Sequence, residues 1–138
     1  MKESERVSKI MSTNLITISP SHSLVDAEKL FRKHKIRHIP VVNNKKIVGI
    51  LSLTDLLRLS FVDTYEDDTH VDTAIYNMLG VEQVMVSNPV HVSSTKTIRE
   101  VAEILSKNEF HALPVVDGGN LVGIVTTTDL LNYLLEQY

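Results

Sequence analysis

This sequence predicts an α+β fold of two tandem β-α-β-β-α units, and three observations carry the prediction. The chain matches itself over Val7–Leu59 and Val81–Tyr133 without a gap. In both copies the spacing of apolar residues switches in the same order between the period of a strand and that of a helix. Finally, 138 residues, 43% of them hydrophobic, suffice for one compact body or two interlocked halves. They are too few for a catalytic domain with a regulatory domain attached.

The self-match is dense. Met11 falls on Met85, Asn14 on Asn88, Pro40-Val41-Val42 on Pro114-Val115-Val116, and Thr54-Asp55-Leu56-Leu57 on Thr128-Asp129-Leu130-Leu131. Apolar character persists where identities differ, as in Leu24 with Ile98 and Ile36 with Phe110.

Each copy opens on a short strand, Leu15–Ile18 and Val90–Val92, the first ended by Ser19-Pro20. A helix follows, with Leu24, Ala27, Leu30 and Phe31 at three- and four-residue spacing, and Ile98, Val101, Ala102, Ile104 and Leu105 in the second copy. Thr97 with Glu100 forms a capping box at its start, and Ser23 with Asp26 a weaker one. Two apolar runs, Ile39–Val42 and Ile47–Leu51, flank a polar turn and predict a hairpin. Leu113–Val116 and Leu121–Val125 do the same around Asp117-Gly118-Gly119-Asn120, where the glycine pair serves the turn. A last helix begins near Thr54-Asp55 and near Thr128-Asp129, whose side chains suit a positive helix N-terminus.

A unit of about 55 residues buries only about 60% of its unfolded surface, so the two copies are expected to stack through their apolar sheet faces. The domain organisation is therefore a first repeat with its lead over 1–61, an acidic loop and linker helix over 62–80, and a second repeat over 81–138. The linker helix rests on Val71, Ile75, Met78 and Leu79.

Composition narrows the function. A net charge of −3 gives no general attraction to a polyanion, which weighs against nucleic acid. Zero Cys removes disulfides, thiolate nucleophiles and Cys-based metal sites, and fits a reducing cytoplasm. No apolar run approaches the ~20 residues of a membrane span, and the charged start MKESERVSKIM lacks a signal-peptide core. A soluble cytoplasmic protein is the expectation. No Ser/His/Asp order, carboxylate pair or dinucleotide fingerprint points to an enzyme. Among the six histidines only His34 and His38 show helical spacing, and that spacing crosses a predicted helix end, so no metal site is expected.

The motifs Arg37-His38-Ile39-Pro40-Val41-Val42 and Gly49-Ile50-Leu51-Ser52-Leu53-Thr54-Asp55 recur as His111-Ala112-Leu113-Pro114-Val115-Val116 and Gly123-Ile124-Val125-Thr126-Thr127-Thr128-Asp129. Together with Met11 and Met85, they make the chain resemble the cystathionine beta-synthase (CBS) domain pair, also called a Bateman module. The resemblance covers nearly the whole chain. It implies repeats packed with pseudo-twofold symmetry, two clefts holding AMP, ADP, ATP or S-adenosylmethionine as a regulatory ligand, no required cofactor, and a disc-shaped homodimer.

Carried over residue by residue, the resemblance places Arg37, Ile50–Asp55, Val90, His111 and Ala112 in one site. It places His111, Ile124–Asp129, Ile16, Arg37 and His38 in the other. Pro40 and Pro114 belong to the same motifs, and Thr54 with Asp55 and Thr128 with Asp129 are the expected phosphate and ribose contacts. A carboxylate accepts from both ribose hydroxyls, and a helix N-terminus with its hydroxyl favours phosphate. Because Ala112 stands where the first repeat has His38, the Asp129 site is expected to bind phosphate better. The function expected is an energy-sensing regulatory module that acts on a protein partner in trans. The competing reading is a dimerising interaction module in which both aspartates are only helix caps.

Overall fold

The structure, a computed structural model, describes residues 4–63 and 78–138. It divides into two compact units, one of residues 1–15 with 89–138 and the other of residues 16–88. Sequence repeats and compact units are thus cut at different places. The lead before the first repeat packs with the second repeat's elements, and the segment before the second repeat packs with the first's.

In the unit of residues 16–88, α1 (Leu24–His34) precedes a hairpin of β1 (His38–Asn43) and β2 (Lys46–Ser52), then α2 (Leu53–Asp63), α3 (Val81–Val84) and β3 (Val86–Ser87). The sheet order is β1-β2-β3, antiparallel throughout. Helix α1 starts in the predicted capping box, with Ser23 Oγ accepting from Asp26 N–H at 3.2 Å. It stops where Lys35 turns left-handed at φ 53°. Leu24, Ala27 and Phe31 pack with Ile39, Val41, Leu51 and Leu56 into one core.

The unit of residues 1–15 and 89–138 repeats the plan with α4 (Ile98–Ser106), β4 (Ala112–Asp117), β5 (Asn120–Thr126) and α5 (Thr127–Glu136). Gly118 and Gly119, at φ 57° and 83°, make the two-residue turn that matches strand twist. Val101 and Leu105 stand where the first repeat has Ala27 and Phe31, so small and large exchange places and both cores close.

The expected opening strands are shorter than predicted. Ile18 and Val92 each make a single parallel bridge, to Val41 and Val115. Ile18 donates to the Pro40 carbonyl at 3.1 Å and accepts from Val42 N–H at 2.9 Å. The next bond of the ladder, at residue 16 or 90, would need a donor from Pro40 or Pro114, and proline has none. The predicted linker helix and acidic loop lie outside the described residues, apart from Val62 and Asp63, which end α2, and Met78, Leu79 and Gly80. Leu79 packs against the first core.

The lead contributes more than a leftover would. Val7 is fully buried, its N–H donates to Lys96 O at 2.7 Å, and Ser12 exchanges two hydrogen bonds with Ile124. In the other unit Val81 is fully buried, donating to His22 O at 2.9 Å, and Val86 pairs with Ile50. Each segment lays a methionine over a glycine. A Cβ on Gly123 would meet Met11 Sδ at 2.6 Å and Ser12 O at 3.1 Å; one on Gly49 would meet Met85 Sδ and, at 3.0 Å, Val86 O.

Two polar clamps occur in the unit of residues 1–15 and 89–138 that the matching positions of the other unit lack. Asp117 accepts from Ser94 N–H at 3.0 Å and from its hydroxyl at 2.5 Å, which holds the Asp117 carboxyl below the ordinary aspartate range. The matching positions are Asn43 and Pro20, and Pro20 has no N–H to give. The Tyr133 hydroxyl donates to Glu5, and that bond raises the tyrosine pKa. Here the first repeat has Leu59 and Leu79, an apolar pair.

Gly123→Ala is expected to lower stability in urea unfolding by about 1–3 kcal/mol, because the new methyl meets backbone as well as the movable Met11. A second prediction follows from Asp117. Its depressed pKa contributes stability above its unfolded value of 3.8 that is lost as pH falls through the folded value. The stability of Asp117→Asn should therefore fall less steeply than that of the parent below about pH 4; equal slopes would remove Asp117 from the acid response.

Candidate functional site

The last residue of the second hairpin strand caps the helix that follows it. Ser52 Oγ accepts from Asp55 N–H at 3.0 Å, and Thr126 Oγ1 accepts from Asp129 N–H at 3.2 Å. Asp129 Oδ2 accepts in return from Thr126 N–H at 2.9 Å, completing a capping box. The helices thus begin at Leu53 and Thr127, one residue before the predicted Thr-Asp pairs. The signal was present as Ser52-x-x-Asp55 and Thr126-x-x-Asp129, and the true capping hydroxyls are those of Ser52 and Thr126. Thr54 and Thr128 sit at the second helical position, both exposed.

The basic residues are pinned to the same helix starts through their backbones. The Arg37 carbonyl accepts from Leu53 N–H at 2.8 Å, and the His111 carbonyl from Thr127 N–H at 2.9 Å. Arg37 and His111 are exposed, His38 half-buried, and Ala112 buried. Pro40 and Pro114 are buried inside β1 and β4. Ile16 and Val90 stand two residues before the bridges of Ile18 and Val92, Ile16 half-buried and Val90 54% exposed.

One unit therefore brings together Arg37, His38 and the start of α2 with Thr54 and Asp55. The other brings together His111, Ala112 and the start of α5 with Thr128 and Asp129. Each offers a base, a carboxylate and, at the second helical position, the amide of Thr54 or Thr128, on the positive end of a helix, a combination suited to an anion carrying hydroxyls. The two aspartates differ in company. Arg58 lies 3.8 Å from Asp55, whereas the position matching Arg58 is Asn132.

His34 is the last residue of α1 and the left-handed Lys35 follows it, so His34 and His38 do not share a helix face. Among the described residues no group of three or more His, Cys, Asp or Glu could hold a metal ion. Among the same residues no helix is long and apolar enough to cross a membrane.

Comparison with known proteins adds the following. The family model for the CBS domain matches residues 7–61 and 81–136. An inosine-5'-monophosphate dehydrogenase of Korarchaeum cryptofilum is 30% identical over 94% of this chain, which spans only 24% of that protein. The uncharacterized protein MJ1426 of Methanocaldococcus jannaschii is 30% identical over 87% of this chain and 86% of its own length. Among solved structures, CBSX2 in complex with AMP superposes with a TM-score of 0.80 at 28% identity, covering 96% of this chain and 98% of that one. The CBS domain pair of MJ0100, in complex with 5-methylthioadenosine and S-adenosyl-L-methionine, gives 0.79 at 27% identity with the same coverage.

Thr126→Ala should destabilise the protein by about 1 kcal/mol in chemical unfolding through loss of the α5 cap. Thr128→Ala, exposed at the second position, should stay within about 0.5 kcal/mol of the parent. The reverse order would return the capping role to Thr128.

Proposed function

The chain belongs to the CBS domain family, and from that premise we propose that it is a non-catalytic regulatory module. Its ligand is an adenosine-containing compound, AMP, ADP, ATP or S-adenosylmethionine. The observation that carries this reading is the duplicated constellation: in both units a basic residue is tied through its carbonyl to a helix start that presents an exposed threonine and an aspartate. Structural relatives that hold AMP, or methylthioadenosine and S-adenosylmethionine, support the ligand class.

We place the stronger site at the start of α5. Neutral Asn132 stands where Arg58 approaches Asp55 in the other unit, so the second carboxylate oxygen of Asp129, Oδ1, is the better ribose acceptor. The module works as a cytoplasmic homodimer. Ligand shifts it between two arrangements by binding one more tightly, and the shift is read by a protein partner. One observation favours the competing reading of a dimerising structural module: Asp129 already completes a capping box with Thr126.

Calorimetry with AMP, ATP and S-adenosylmethionine tests the proposal. At least one should bind, and Asp129→Asn should weaken it by about tenfold or more, about 1.4 kcal/mol, with Asp55→Asn having the smaller effect. If Arg37 serves a phosphate, as the family resemblance implies, Arg37→Gln should weaken ATP more than S-adenosylmethionine. No binding of any of the three at millimolar concentration selects the structural module.

A further inference from the structure

The chain has no cysteine, so its sulfur chemistry belongs to four methionines, and two of these, Met11 and Met85, fall on each other in the repeat. Their thioethers do more than fill a gap. Met11 Sδ lies 2.6 Å and its Cγ 3.0 Å from where a Cβ on Gly123 would stand, and Met85 covers Gly49 in the same way. Each sulfur thus holds the place of a missing side chain. The residue after each methionine carries the backbone pairing, Ser12 with Ile124 and Val86 with Ile50. Both methionines are half-buried and pack against the core of their unit, so one flank of each meets solvent.

We propose that Met11 and Met85 are paired oxidation sites, and that their conversion to sulfoxides by a hydroperoxide unlatches the incoming segments from β5 and β2. In the step, a lone pair of the sulfur attacks an oxygen of hydrogen peroxide, the O–O bond breaks, an S–O bond forms, and water leaves. The sulfur loses two electrons and the peroxide gains them. The product carries a strongly polar oxygen on a side chain that had packed as an apolar one. Turned toward the apolar core, that oxygen would lose its water without a hydrogen bond in return. Turned toward solvent, it draws the side chain off the glycine.

The effect reaches the next helix. Ile124 and Ile50 stand two residues before Thr126 and Ser52, whose hydroxyls cap α5 and α2. Loss of the latch therefore loosens the helix starts that carry Asp129 and Asp55. Reduction by methionine sulfoxide reductases reverses it. Met78 supplies the contrast: it is 80% exposed, so peroxide reaches it first and its sulfoxide stays in water.

Graded treatment of the full chain with hydrogen peroxide tests the proposal. Peptide mass spectrometry should find one added oxygen on Met78 first, then on Met11 and Met85 while circular dichroism still reads a folded protein. Hydrogen exchange at the amides of Ser12 and Ile124 should quicken at least about tenfold once Met11 is oxidised, and exchange at Val86 and Ile50 should follow Met85. Met11→Leu and Met85→Leu, close in volume and without an oxidisable sulfur, should each protect their own unit and leave the other sensitive. Met78→Leu should protect neither. Reductase with dithiothreitol should return the oxidised parent to slow exchange. Met11 and Met85 that stay thioethers in the folded protein after Met78 is consumed overturn the proposal, and so do sulfoxides at both positions that leave exchange unchanged. The parent's own time course carries both readings, so a leucine variant that fails to fold removes neither. Nucleotide binding is not a readout, and the result stands apart from the ligand proposed above.

Discussion

Each unit closes only because a segment from elsewhere in the chain reaches a strand whose central residue has no side chain. At Gly49 and Gly123 the incoming backbone of Val86 or Ser12 comes within about 3 Å of where a Cβ would stand, and a methionine fills the space above. The approach lets Ser12 exchange two hydrogen bonds with Ile124 and lets β3 pair with β2. It also brings fully buried Val7 and Val81 into the packed interior of the two units. A body of about 55 residues has too little apolar surface to spare such a contribution. The two glycines and two methionines are thus one device used twice, and both members recur at the same register in the sequence.

Much of this was legible beforehand because the chain writes its plan twice. The α1 and α4 helices, their capping boxes and both hairpins follow from apolar period and turn chemistry, which act over a few residues. The opening strands were overdrawn because β propensity reports side chains, whereas the ladder needs a donor that Pro40 and Pro114 lack. The role of Val7 was hidden for a different reason. Its hydrogen-bond partner Lys96, and Val92 and Val125 of the same core cluster, are distant in sequence, and no local pattern reports packing across such a separation. At the candidate site, the motif seen twice brings Arg37 and His111 to the helix starts that carry the two aspartates. The capping function of Ser52 and Thr126 was missed because the helix start was placed one residue late, on the Thr-Asp pair.

The copies share a backbone and differ in how they hold it. The second repeat joins the N-terminal lead to its last helix through Glu5 and Tyr133, where the matching positions hold Leu79 and Leu59, both packed against the first core. It also clamps the turn before α4 with Asp117 and Ser94, where the first has Asn43 and Pro20. Both substitutions come as pairs. A lone tyrosine against Leu79 would leave a hydroxyl without a partner, and a lone Asp facing Pro20 would leave a carboxylate without its donors. Divergence between the copies is therefore constrained to steps that keep each polar group satisfied, which is why it appears as exchanged pairs in an unchanged frame. The outward face of α4 is free of that restraint, and there the change from Glu28 and Arg32 to Ala102 and Ser106 alters surface chemistry at no cost to the core.

Capping and ligand binding at Asp129 are compatible on energetic grounds. The capping box uses Oδ2 and the hydroxyl of Thr126, and it leaves Oδ1 outside the pair of bonds. A ribose offers two hydroxyls, so the nucleoside proposed for this site would either share the carboxylate, taking Oδ1, or displace the N-cap amide from Oδ2. Displacement costs about 1 kcal/mol, the usual net worth of one hydrogen bond, while a micromolar ligand brings about 8 kcal/mol of binding free energy. The cap is thus too weak to exclude the proposed ligand and strong enough to hold the carboxylate in one place without it. An aspartate at the third helical position does both tasks only if the capping hydroxyl comes from the residue three before it. That spacing, Ser52 to Asp55 and Thr126 to Asp129, is what the two repeats have kept.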